Sequence, residues 1–480
     1  MDYANCLEPL NTRVRRELRL LGYPHRPWVE PKDDCYNVLV IGGGQGGLAT
    51  AFGLLKERVD RVLVVDRNPR GFEGPWETFA RMETLRTPKH LTGPDLGVPS
   101  LTFQSWYEAQ HGRGAWDNLD KIPKGVWMRY LRWYRDVLGL PVANEVEVQA
   151  VIPEAEGRFR VETRWQGQPR TLYTRRVVWA TGMDGDGVWW TPALIREALP
   201  PDRYAHTSQP IDFAALRDKR VGVLGAGASA FDNAATALEQ GAKEVHLFFR
   251  RPQLPRINPY RWMEFSGFLQ HHADLDDGDR WRFAKLILDL NQPPPQDTFA
   301  RASRHPNFFL HPASSWERVD DLGDEVAVET YQGVFRFDFL IVGTGMTVDL
   351  RARRELAAFA DEIALWQDRY APLPGDEDAR LSDFPYLGAN FELSEKTPGT
   401  APYLKHLYDF TFGATPSMGL SGASISGLKY GVQRLVRGIT ASFYREDVEA
   451  YYTSLANYDE AELIADVAPV LYQQRRLVEK

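Results

Sequence analysis

Read for its hydrophobic and polar positions, the chain opens on an amphipathic stretch, residues 4–21, with leucines at helical spacing. A link through Pro24, Pro27 and Pro31 follows, and a helix does not continue across it. Val38 to Ile41 is a short β-branched run and a glycine-rich loop comes next. Leu48 to Leu55 then reads as a helix and Arg61 to Asp66 as an apolar strand. Strand, turn, helix and strand in that order predict a parallel pair. The same succession returns at Arg220 to Leu224, a second glycine-rich loop, a helix over Ala228 to Gln240 and a strand over Glu244 to Phe249. Between the copies, Lys124 to Leu140 reads as a helix, and Val146 to Val151 and Arg158 to Thr163 read as strands. Arg176 to Thr181 reads as a buried strand ending at Gly182. Val334 to Val342 is a further strand, closing on Gly343, Thr344 and Gly345. From about Ser442, charges at helical spacing predict a helical tail, while Gln292 to Pro295 and Leu373 to Arg380 read as plain loops.

The two glycine loops carry the chemistry. Gly42, Gly44 and Gly47 form G-x-G-x-x-G, with Gln45 inside it, between a strand and a helix. In that context the first glycine permits the tight turn, the second lets backbone N–H groups approach a pyrophosphate, and the third lets helix and strand pack closely. Asp66, at the end of the next strand and followed by Arg67, is placed to accept hydrogen bonds from a ribose. The second loop, Gly225, Gly227, Ala228, Ser229 and Ala230, has Ala where the third glycine would stand. Its following strand ends on Arg250 and Arg251 instead of an acid, and guanidinium forks suit a 2′-phosphate. Different ribose readers imply different cofactors, a resident FAD and an exchanging NADPH.

The chain is therefore expected to be α/β, with two nested Rossmann-like dinucleotide-binding domains in which the FAD domain is interrupted by the NADPH domain. Its parts are an N-terminal helical extension (1–35), FAD domain (36–205), NADPH domain (206–330), FAD domain resumed (331–441) and a C-terminal helical tail (442–480). At 480 residues, 43% of them hydrophobic, the chain can bury two cores and a large cofactor. A formal net charge of −8 has the wrong sign for nucleic-acid binding, and no apolar run is long enough to span a membrane. The N-terminus lacks the pattern of a signal peptide, so the expected compartment is the cytoplasm. Cys6 and Cys35 are the only cysteines, which excludes a Cys-x-x-Cys redox pair and a four-ligand zinc site. No metal is expected.

From Tyr36 to about Ile439 the chain resembles the class B flavoprotein monooxygenases, the group that includes flavin-containing, Baeyer–Villiger and N-hydroxylating monooxygenases. The resemblance rests on the two loops, on Gly74-Pro75-Trp76, on the stretch Met82 to Tyr107, and on the strand ends Ala180-Thr181-Gly182 and Val342-Gly343-Thr344-Gly345. His206 stands where the family's linker fingerprint carries a histidine, but the flanking Phe-x-Gly is absent. Met82 to Tyr107 and the run Gly419 to Gly427, with Ser424 inside it, are most similar to the branch holding FAD-dependent urate hydroxylase and aspartate N-monooxygenase.

The resemblance implies reduction of FAD by NADPH, formation of a flavin hydroperoxide with O2, and transfer of one oxygen atom to a small, polar, anionic substrate. It makes Trp76, Thr181, Gly182, Gly343, Thr344, Gly345 and Ser424 flavin-site residues, and His206, Arg86 and Lys89 candidates at the reacting edge. Arg86, Lys89 and Lys429 are cations that could hold the substrate, pair with a cofactor phosphate, or meet surface carboxylates. An NADPH-dependent reductase passing electrons to a partner or quinone remains the alternative, and a homo-oligomer stays open.

Overall fold

A computed structural model describes residues 3–23, 26–32 and 34–463. A parallel strand covered on both faces needs apolar residues at successive positions, not alternate ones. Tyr36–Ile41 and Val62–Val65 meet that need, and they pair in parallel with Val38 opposite Val62 and Ile41 opposite Val65. They stand at the centre of a seven-stranded sheet. Its order is Val142–Ala143, Val62–Val65, Tyr36–Ile41, Gln168–Trp179, Phe159–Trp165 and Val146–Pro153. The remaining strand, Leu407–Asp409, pairs in parallel with Val177 to Trp179, beyond the point where Phe159–Trp165 leaves off. Chain from after the second glycine loop thus returns to the first sheet, which is the nesting read from the sequence. Gln168–Trp179 begins well before the expected Arg176 because its first four residues are exposed and carry no apolar signal.

The second sheet is wholly parallel, ordered Phe308–His311, Glu244–Phe248, Arg220–Leu224, Phe339–Val342 and Tyr204–His206. Here the structure corrects the expected strand over Val334 to Val342 and its place in the resumed FAD domain. Asp338 accepts hydrogen bonds from the backbone and guanidinium of Arg220 and splits the apolar run. Gly333–Phe337 joins a three-stranded antiparallel sheet with Arg318–Asp321 and Val326–Thr330. Phe339–Val342 lies inside the second sheet.

Helix Gln45–Lys56 is buried along most of its length and crosses Ile425–Glu446 closely, since a Cβ on Gly53 would stand 2.9 Å from Val436. The N-terminal helix Tyr3–Leu20 buries Leu10, Val14 and Leu18, and Glu17 accepts from the Ser100 hydroxyl at 2.7 Å. Pro24 of the expected link lies outside the described residues. No break marks the expected start of the tail at 442: Ile425–Glu446 runs through it, Val448–Ala456 follows, and 464–480 lie outside the described residues.

The long C-terminal helix is fastened to the first sheet by two fully buried arginines. Arg175 reaches Glu446 and Asp447, each at 3.0 Å, Arg176 reaches Glu446 at 2.6 Å, and both guanidiniums lie over the Phe443 ring. Partial burial pulls the Glu446 carboxyl upward, but the charges and hydrogen bonds of Arg176, Lys32 and Arg175 outweigh it and hold the pKa at about 2. Arg175→Ala strands buried carboxylate charge and is expected to cost roughly 3 kcal/mol in chemical denaturation. Because the folded pKa of Glu446 is depressed, its contribution is present above the ordinary carboxylate pKa of about 4.3 and is lost as pH falls toward 2. Glu446→Gln is expected to be less stable than the parent at neutral pH and to show a shallower loss on acidification; parallel stability curves would contradict this.

Candidate active site

The first glycine loop is shaped by backbone contact. Gly42 has φ +109°, and a Cβ there would lie 2.5 Å from the Ala180 carbonyl oxygen; a Cβ on Gly47 would lie 1.8 Å from that of Gly42. These glycines let the turn fold onto the end of Gln168–Trp179. Gly44 is different: the nearest atom to its added Cβ is 3.8 Å away, and it caps helix Gln45–Lys56 with no side-chain hydrogen bond. The first N–H groups of that helix are left for an anion, which is what a pyrophosphate needs. Asp66 is buried at the next strand end, its Oδ2 accepting from Gly43 N at 2.7 Å and its Oδ1 from Asn68 N at 2.8 Å. Burial raises its pKa, while those two N–H groups oppose the shift. Each oxygen keeps a second lone pair for a ribose hydroxyl.

The second loop repeats the design. Gly225 has φ +134° and a Cβ there would lie 2.2 Å from the Gly343 carbonyl oxygen, while Gly227 meets nothing within 4 Å and caps Ala228–Glu239 without a side-chain hydrogen bond. Ala230 is buried under Gly343. The strand end at Gly343 therefore braces the second loop, just as Ala180 braces the first.

Both loops open on one cavity of about 1390 Å³. Of the residues singled out in the sequence, Gly42, Gly44, Gln45, Asp66, Arg67, Trp76, Arg86, Thr181, Gly182, Gly227, Ala228, Ser229, Gly343, Gly345 and Ser424 line it. Ser424 caps Ile425–Glu446, again without a side-chain hydrogen bond, so a third helix N-terminus faces the cavity. The Thr181 hydroxyl is buried with no partner among the described residues, a polar group waiting on the cavity wall. Free helix ends, uncrowded Gly44 and Gly227 and a buried ribose reader fit two dinucleotides. Among the described residues no group of three or more His, Cys, Asp or Glu could hold a metal.

Other expected residues sit elsewhere. Lys89 is not on the cavity wall: its ammonium donates to the Trp116 carbonyl at 2.7 Å and lies over the Trp116 ring. His206 is buried outside the lining, its ring against Trp189, with Nδ1 accepting from Ser208 N at 3.2 Å. Burial lowers its pKa to about 4, so the ring is neutral. The placement of Lys89 and His206 corrects the expectation that they act at a reacting edge. Arg86 does face the cavity, but Asp232, on the second loop's helix, takes its charge at 2.9 Å. Arg250 and Arg251 lie beyond the lining and make no ion pair among the described residues; Thr344 donates to the Trp190 carbonyl, and Lys429 lies over Tyr430. The loops around Gln292 and Arg380, read as plain, do line the cavity. So do Tyr260, Arg261 and Glu264, from a helical segment after the second loop's strand that carries no glycine signature.

Two glycine-loop helices aimed into one cavity, the first with a buried acid at the following strand end, fit a flavoprotein oxidoreductase fed by a nicotinamide. Residues 39–268 match the family model described as pyridine nucleotide-disulphide oxidoreductase. The chain is 47% identical over 95% of its length, and 97% of the relative's, to the FAD-dependent urate hydroxylase of Xanthomonas campestris pv. campestris. Its fold is similar to ornithine hydroxylase from Pseudomonas aeruginosa, with TM-score 0.67, 17% identity and coverage of 86% of this chain and 99% of that one. It is also similar to ornithine N-hydroxylase from Kutzneria sp. 744, with TM-score 0.65, 16% identity and coverage of 85% and 99%. The chain belongs to the family of the FAD-dependent urate hydroxylase, and it is an FAD- and NADPH-dependent monooxygenase.

Gly44→Val is expected to give folded protein that purifies without flavin, because the new side chain meets no protein atom closely but occupies the pyrophosphate's approach. Gly47→Val is expected not to fold. Flavin absorbance per protein and circular dichroism separate the two, and a fully yellow Gly44→Val would refute the loop assignment.

Proposed function

We propose that the protein hydroxylates urate, using NADPH and O2. The observation that carries this reading is the single cavity joining both glycine loops, in a chain matched end to end by a urate hydroxylase. Bound FAD would accept hydride from NADPH and, once reduced, activate O2 for insertion of one atom. The chain's own part is to hold and to shield. The N–H groups after Gly44 take the FAD pyrophosphate, Asp66 its ribose, and the helix end at Ser424 the flavin's polar edge. Gly227 to Ala230 take the NADPH pyrophosphate, and Arg250 and Arg251 its 2′-phosphate. Arg261 faces the cavity, makes no ion pair among the described residues, and offers a cation to an anionic heterocycle. Apolar lining such as Trp76, Phe79 and Leu85 would shield the reduced cofactor from water.

The domain division that accompanies this reading gives Tyr204 through Val342 to the NADPH unit and the flanking stretches, from 36 and on to 441, to the FAD unit. We place the enzyme in the cytoplasm; no helix among the described residues is long and apolar enough to cross a membrane.

The test is NADPH oxidation and O2 uptake by the flavin-loaded enzyme with and without urate. Urate is expected to disappear in step with NADPH; stoichiometric H2O2 with urate intact overturns the reading, coupled turnover of an amine instead points to N-hydroxylation, and dye reduction alone to a reductase. Arg250→Ala with Arg251→Ala is expected to raise KM for NADPH at least tenfold more than KM for NADH, since only NADPH carries the phosphate. Equal effects on the two would remove the arginines from that role.

A further inference from the structure

Beside the main cleft lies a smaller cavity of about 20 Å³, and Tyr260, Leu288, Phe384, Phe412 and Thr415 line both. Met263, Phe268, Ile287 and His272 close its far side. The surroundings are mostly apolar; besides the hydroxyls of Tyr260 and Thr415, the latter donating to the Phe412 carbonyl, the polar side chain is the imidazole, which is 3% exposed. His272 Nε2 lies 3.2 Å from the Pro416 carbonyl oxygen. A carbonyl only accepts, so Nε2 carries the proton and donates. Burial lowers the His272 pKa to about 4, Arg280 adds to that shift, and the Pro416 contact opposes it. Nδ1 is therefore a bare acceptor near neutral pH, and it is buried with no hydrogen-bond partner among the described residues. Such an atom gains most from a ligand that brings a donor.

The kind of donor follows from the surroundings. An alkylammonium would have to shed its hydration to reach a neutral acceptor among phenyl and aliphatic side chains, a heavy penalty for a charge. An uncharged ring N–H pays far less, and the wall it would pass is aromatic: Phe384 and Phe412, in contact with centroids 5.9 Å apart, line both cavities. The side cavity is too small for a whole ring, so only an N–H edge could enter it, with the body of the ring in the main cleft.

We propose that His272 Nδ1 is the point that recognises an uncharged N–H edge of a planar heterocyclic substrate, and that this side cavity selects such rings over aliphatic amines. The proposal rests on the urate reading above and adds the residue that specifies it. His272 is a positioning residue here and takes no part in hydride or oxygen transfer.

The experiment compares flavin-loaded wild type, His272→Leu and His272→Gln on urate and its four mono-N-methylated derivatives. His272→Leu is expected to raise KM for urate about tenfold, with kcat and the rate of flavin reduction by NADPH nearly unchanged, and His272→Gln to recover part of the loss through its amide oxygen. In wild type, methylation at one ring nitrogen is expected to raise KM by a similar factor, and in His272→Leu that methyl group costs nothing further. An unchanged KM in His272→Leu, or a methylation penalty equal in both proteins, overturns the proposal while leaving urate hydroxylation intact. Should His272→Leu fail to fold, the methyl series on wild type and His272→Gln decides it: no nitrogen whose methylation weakens wild type means no such contact. Wild type that neither binds urate in equilibrium dialysis nor turns it over overturns both readings.

Discussion

Everything at this site depends on how closely backbone can approach backbone where the glycine loops meet the neighbouring strand ends. Gly42 lies against Ala180, Gly47 against Gly42, and Gly225 against Gly343, each leaving no room for a Cβ. Those contacts turn the chain sharply enough that helices Gln45–Lys56 and Ala228–Glu239 begin with their N–H groups directed into open space. A side chain at any of the three would push the loop off the strand end, and the helix axis would no longer aim into the cavity. Gly44 and Gly227 have the opposite character, crowded by nothing, since what approaches them is not protein.

The two units built on these loops are also tied to each other by charge. Arg86, in the segment following the first loop, pairs with Asp232 on the second loop's helix, and Arg301 stands 3.8 Å from the same carboxylate. Asp232 is 97% hidden by that environment, being 3% exposed at its side chain, and burial raises its pKa even though Arg86 and Arg301 pull the other way. A buried acid of this kind is tolerated because its partners come from both sides of the cleft. The arginine that sequence reading offered to the substrate is thus occupied in holding the cleft's two walls together.

The parts legible in the sequence are those with a local cause. Glycines at fixed spacing, an acid at a strand end, and β-branched runs such as Val38 to Ile41 act through their immediate neighbours, so pattern alone reveals them. The polar first half of Gln168–Trp179 was hidden because an exposed strand end has no apolar period, and Asp338 shows how one polar residue in an apolar run can mark a boundary between two sheets. Lys89 and His206 lie off the cavity lining because the Trp116 carbonyl takes the ammonium and the imidazole is buried against Trp189, neighbours that the sequence does not disclose. Tyr260, Glu264 and His272 carry no signature at all: their meeting with Phe384, Phe412 and Ser424 is made by distant chain segments.

The segment that bears Tyr260, Glu264 and His272 leaves the second sheet at Glu244–Phe248 and re-enters it at Phe308–His311, two strands that lie side by side, Val245 opposite Phe308. The pairing is parallel, so the segment leaves at one end of the pair, beyond Phe248, and returns at the other, before Phe308, as a crossover that lies outside the strands themselves. An enzyme arranged in this way divides its labour along the chain: the glycine loops open on the cavity from the two sheets, while one crossover segment supplies a further wall through Tyr260 and Glu264 and, through Arg301, stays fastened to the second loop's helix.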